Sequence, residues 1–166
     1  MELPGSGYFF ALAALSMAFV GFTSIVVVLH QGTGKPLSPF HILITSLLVE
    51  LGLMATSFAM LAPTLAICGV HGILVWQASS AVMLVVLVPW LLVYPNRRRA
   101  ATPGEKTPAR VFIMTTLGIL AVIALCLNLV GWVINPGPGP LAFTTVYVLS
   151  FASVAFVRTY SLFLRD

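Results

Sequence analysis

Apolar positions in this chain come in long, nearly unbroken runs. They show neither the strict alternation of a half-buried strand nor the narrow stripe of a surface helix. The runs cover 8–29, 39–62, 73–94, 111–134 and 141–164. A hydrocarbon core of about 30 Å takes roughly 20 apolar residues of helix, so each run has spanning length. Composition agrees. Of 166 residues, 60% are hydrophobic and 7% charged, against about 25% charged in a soluble domain. So few charges cannot coat a surface for water. The pattern predicts an all-α integral membrane protein, a single domain over 1–166, built as a bundle of five transmembrane helices. No polar stretch exceeds about 15 residues, too short for a separate core.

The breaks between runs have turn chemistry. Residues 30–38, HQGTGKPLS, hold two glycines and Pro36, and Ser38 before Pro39 is a good N-cap with proline at N1. Gly34-Lys35 is no phosphate loop: the earlier glycine is missing, Pro36 replaces Ser/Thr and no strand precedes it. Residues 42–95 carry one charged side chain, Glu50. As one helix they would measure about 80 Å, so they must turn, and 63–72, PTLAICGVHG, is the expected place. The third run should end at Tyr94, loosened by Pro89. Trp76 at one end, and Trp90 and Tyr94 at the other, would form interfacial aromatic belts. The polar stretch 96–110 and the stiff NPGPGP at 135–140 separate the last two runs. The start, MELPGSG, has no basic side chain and is followed by a run of spanning length, unlike a secretory leader.

Charge gives an orientation. Five crossings put the termini on opposite sides. With the N-terminus outside and the C-terminus cytoplasmic, all eight basic residues fall on the inner side, as the positive-inside rule asks. They are Lys35, Arg97, Arg98, Arg99, Lys106, Arg110, Arg158 and Arg165. Few lysines, with abundant Ala, Val, Leu and Pro, point to a GC-rich bacterium and its cytoplasmic (inner) membrane.

Candidate chemistry centres on Glu50, close to the midplane by residue count. Ser46, Glu50, Leu53 and Ser57 share one face of the helix, and Thr45, Gly52, Thr56 and Ala59 form a small-residue face roughly opposite. The polar stripe reads either as an ion, proton or substrate pathway, or as a buried anchor between helices. Arg158 is the expected partner: it enters from the inner end of the fifth helix and leans towards the midplane as Glu50 leans inward. Asn128 is expected to tie helices together, with Gln77 reaching water. Ala11, Ala14, Ala18 and Gly21 make a small strip on the first helix, suited to close packing, and Ala121, Ala124, Asn128 and Gly131 share a side of the fourth.

Arg97, Arg98, Arg99, Lys106 and Arg110 are a candidate contact for anionic lipid. Without interleaved aromatics they make a poor reader of nucleic acid. His30, His41 and His71 lie at run boundaries, which does not suit a membrane haem, and no metal or other cofactor is implied. Cys68 and Cys126 read as small packing residues. No catalytic constellation appears. Two functions remain: an accessory or self-associating bundle subunit, partnered by the bilayer and by further copies or a larger complex, or a small channel or transporter passing Glu50.

Overall fold

The computed structural model describes residues 3, 5–31, 39–103, 108–131 and 135–163, with the side chains at 26, 29–31, 39–41 and 158–163 outside the description. Among the described residues there are five helices and no strand. They are α1 (Ser6–Gln31), α2 (Pro39–Ile67), α3 (Ile73–Ala101), α4 (Ala109–Val130) and α5 (Pro138–Phe163). Each is long and apolar enough to cross a membrane.

Three helices run further than their apolar runs imply, because proline does not stop them. α2 carries Pro63 and continues to Ile67, and α3 carries Pro89 and Pro95 and continues to Ala101. A proline inside a helix costs one hydrogen bond and a clash with the carbonyl four residues back, which kinks more often than it terminates. α5 begins with Pro138 rather than near Leu141, since a first-turn proline lacks only an N–H that would have no intrahelical partner. The real stops are glycines. Gly69 has φ 89°, its N–H donates to the Ala66 carbonyl and the Val70 N–H donates to the Leu65 carbonyl. This paired closure over a left-handed residue is a Schellman ending. The expected turn at 63–72 therefore shrinks to 68–72. Gly131, φ 71°, ends α4 short of residue 134, with its N–H on the Leu127 carbonyl.

Helices α2, α3, α4 and α5 close a ring in which each packs on the next, and α5 packs back on α2. α1 lies outside the ring, mainly on α2 with an edge on α5. α2 is thus the hub. Half of its most apolar stretch is buried, more than for any other helix, through Leu47, Leu48, Leu51, Ala55, Phe58, Ala59 and Ala62. Met83, Leu87, Ala121, Leu125, Leu141, Val148 and Ala152 complete the core from the other three ring helices.

Two expected faces resolve differently. The small face of α2 does pack: Gly52 and Ala59 are buried, and Gly52 lets Val20 and the Ser16 carbonyl of α1 come against its backbone. The small strip of α1 does not. Ala11, Ala14, Ala18 and Gly21 are all exposed, and α1 instead turns Phe9, Leu12, Ala13, Ser16 and Thr23 inward. Larger side chains fill the irregular groove between α2 and α5 better than a smooth alanine strip. Two of the three aromatics expected at the interfaces are turned into the protein. Trp76 is buried beside Phe9, and Tyr94 is buried in the ring. Cys68 and Cys126 are free thiols on the surface.

Hydroxyls inside the helices are handled locally. Ser16, Thr23, Thr56, Thr144, Thr145 and Ser153 each donate to the carbonyl four residues back. That removes their demand for outside partners and lets them sit in apolar surroundings.

The α1–α2 contact yields a test. A side chain at Gly52 would overlap the Val20 methyl, and a β-branched neighbour is stiff about χ1. Gly52→Ala should destabilise the protein by about 1–3 kcal/mol, the usual cost of overpacking. Adding Val20→Ala should recover most of the loss in thermal unfolding of the detergent-solubilised protein.

Candidate functional site

Glu50 lies at the edge of the buried face of α2, one residue before the fully buried Leu51. α2 and α3 run antiparallel from the turn at 68–72, so depth is counted from there. Glu50 is 17 residues before Ile67, and Trp90 is 17 after Ile73, so the two are level, about 26 Å from the turn. Arg97 lies two helical turns further on and shares the Trp90 face of α3. Side chains lean towards their helix N-terminus. Arg97 therefore leans back towards Trp90 while Glu50 leans forward to meet it.

The result is a bidentate ion pair. Arg97 Nη1 donates to Glu50 Oε2 at 2.7 Å, and Nη2 to Oε1 at 2.7 Å. Trp90 Nε1 donates to Oε2 at 3.3 Å. The fork geometry is the strong form of an arginine–carboxylate contact. Trp90 is held in turn. It stacks on Tyr94 at 5.4 Å and 11°, and Phe151 of α5 stands edge-on to both rings. This aromatic block fixes the wall against which the pair closes.

The pair is not sealed. The Arg97 and Glu50 side chains retain 36% and 37% of their exposure, and Leu53 and Ser57 on the same stripe are exposed, with Ser46 half-buried. The polar stripe of α2 therefore faces out of the ring, with the ion pair at its inner margin. The Arg158 side chain, expected on Glu50, lies outside the described residues. Both Glu50 oxygens are occupied by α3. By run length the third apolar stretch ends at Tyr94, which places Arg97 with the surface basic residues. The spacing Trp90–Tyr94–Arg97, carried through Pro95, is the sequence signal that finds it.

A second polar node lies near the other end of the ring. Asn128 is fully buried. Its Nδ2 donates to Ser80 Oγ of α3 at 2.8 Å, and its Oδ1 accepts from the Gly137 N–H ahead of α5 at 2.9 Å. One amide thus joins three chain segments. Gln77, expected to reach water, donates instead to the Leu129 carbonyl at 3.0 Å, one of the orphan acceptors at the end of α4. Ser80 is ten residues from Trp90, about 15 Å along the helix, so the two nodes are separate. Gly118, Ala121, Leu125 and Asn128 form the inward face of α4.

Of the basic cluster, Arg98 is buried while Arg99 and Arg110 are exposed. Lys106 lies outside the described residues. Of the histidines, His71 is exposed, and the His30 and His41 side chains are not described. No group of His, Cys, Asp or Glu able to hold a metal occurs among the described residues. Among the described residues, the buried hydroxyls Ser79 Oγ and Tyr147 OH meet no hydrogen-bond partner. Tyr147 lies over Gly118, where an added Cβ would sit 2.6 Å from the phenol oxygen.

A double-mutant cycle on Glu50→Gln and Arg97→Gln should give a coupling of about 1–3 kcal/mol in detergent unfolding, above an exposed pair and below a fully buried one. The matching cycle with Arg158→Gln should give less. Tyr147→Phe removes an unpaired buried hydroxyl and should be neutral or stabilising by up to about 2 kcal/mol, read as a raised Tm.

Compared with known proteins, the chain matches no family model, and no curated protein and no solved structure is similar to it.

Proposed function

We propose that this chain is a small multi-spanning protein of the bacterial cytoplasmic membrane that acts without catalysis, as an accessory or self-associating bundle subunit. One observation carries the reading. Glu50, the acid deepest in an apolar helix, is neutralised by Arg97 within the chain, and the polar stripe it belongs to faces away from the ring interior. An acid used by a pathway through the bundle would instead point inward, with its oxygens open to a passing ion.

The remaining polar side chains support the same role. Asn128, Ser80 and Gln77 spend their hydrogen bonds on neighbouring helices. The small strip of α1 is exposed among the described residues, and strips of this kind let helices approach closely in membranes. The arginine end of α3 faces the cytoplasm in this reading, which puts the turn at 68–72 on the outer side. The alternative, a channel or transporter passing Glu50, would need its route to run along the outside of the ring, between copies.

Mass photometry in lipid nanodiscs, with proteoliposome flux alongside, tests the proposal. The wild type should be oligomeric or carry a co-purifying membrane protein. Ala14→Leu with Ala18→Leu should release it as a folded monomer. Liposomes should show no Glu50-dependent ion flux. A lone monomer in native lipid, or flux abolished by Glu50→Gln, overturns it.

A further inference from the structure

Arg98 follows Arg97 in sequence but points elsewhere. One residue turns a helix by about 100°, which takes its side chain off the α2 side and onto α4. There it is 7% exposed and lines a cleft of about 210 Å³ between the ends of α3 and α4. Among the described residues no carboxylate and no hydrogen-bond acceptor meets its guanidinium. The residue is buried as a whole, but its nitrogens are not among the sealed side-chain atoms, so the guanidinium opens onto the cleft, where a cation short of water and without a protein acceptor favours an anion.

The chain has four acids, Glu2, Glu50, Glu105 and Asp166. Glu50 is committed to Arg97, and the other three lie outside the described residues. The described residues that line the cleft include no acid. Its walls are Tyr94 and Phe112 on the apolar side, Arg99 at the rim, and Thr102 and Thr115. The two threonines donate their hydroxyl protons to the Arg98 and Val111 carbonyls, so the N–H donors left for a guest belong to the arginines. Two guanidiniums, one buried and one exposed, suit an anion with several oxygens. Arginine forks match phosphate in geometry as well as charge. The volume is below the roughly 300–1,000 Å³ of pockets that enclose a whole small molecule. It fits a headgroup whose remainder lies outside, against the exposed Phe112.

We propose that this cleft binds a phosphate group, carried by an anionic lipid or free in solution, with Arg98 as its buried cationic ligand. The lipid source rests on the membrane reading above, in which this end of α3 lies at the cytoplasmic headgroup layer.

Native mass spectrometry of the full chain in detergent, titrated with phosphatidylglycerol, phosphatidylcholine or inorganic phosphate, tests it. Wild type should retain one phosphatidylglycerol at least tenfold more tightly than phosphatidylcholine. Arg98→Gln should lose tenfold or more, Arg98→Lys should keep part of the binding, and Arg110→Gln should change it less than threefold. Saturable phosphate binding, lost in Arg98→Gln and with no preference between the two lipids, assigns the site to free phosphate. Binding unchanged in both Arg98 variants overturns the proposal. So does a tenfold gain of anion binding in Glu105→Gln or Asp166→Asn, which would make the natural anion a carboxylate of this chain. Carbonate extraction of the source membranes separates the two readings. A chain released by carbonate fails the membrane reading, whereas one that stays and binds neither probe fails only this inference.

Discussion

A carboxylate set among apolar side chains must find a cation within reach, and that demand organises the α2–α3 half of the molecule. Glu50 is level with Trp90, whose indole N–H reaches one of its oxygens, and the cation comes from a long side chain two turns further along α3, leaning back. α3 must then stay helical through Pro95, and the Trp90–Tyr94–Phe151 block must hold the wall in place. The register of α2 on α3 follows from the fork geometry, since a one-residue rotation would swing the guanidinium about 100° off the carboxylate.

The far end of the ring solves a different problem with neutral groups. α4 stops at a left-handed glycine, and a helix end leaves carbonyls without intrahelical partners. Gln77 takes one, and Asn128 divides its amide between Ser80 and the backbone ahead of α5. The prolines at 136, 138 and 140 suit this arrangement, because each lacks an N–H that would otherwise need an acceptor. The fold is thus pinned by charge near one end and by amides near the other, with dispersion contacts between.

Five apolar helices were legible in the sequence, because run length and charge depletion depend on little but composition. The inward use of Asn128 was legible too, since a lone amide in an apolar helix has few other options. The Arg97 partner was hidden because the third apolar run ends at Tyr94, whereas the helix itself continues through Pro95 to Ala101. The outward strip of α1 was hidden for a different reason. Periodicity shows which residues share a face, but the shape of the neighbouring groove decides which face is turned in. Arg98 could not be told from Arg97 and Arg99 by type or position. Only the angle around α3 separates a paired, a buried and an exposed arginine in three consecutive residues.

The separation of Glu50 from Arg97 along the chain has a consequence for biogenesis. The two residues are 47 apart, and chains grow at about 5–20 residues per second. For roughly 2–10 seconds at that rate, the ribosome has delivered the acid and not yet its cation. In the membrane reading, an unpaired Glu50 would cost α2 a few kcal/mol in lipid, so α2 and α3 would enter more favourably together, as a hairpin. The central helix of the finished fold would then be a late one to be committed during its making.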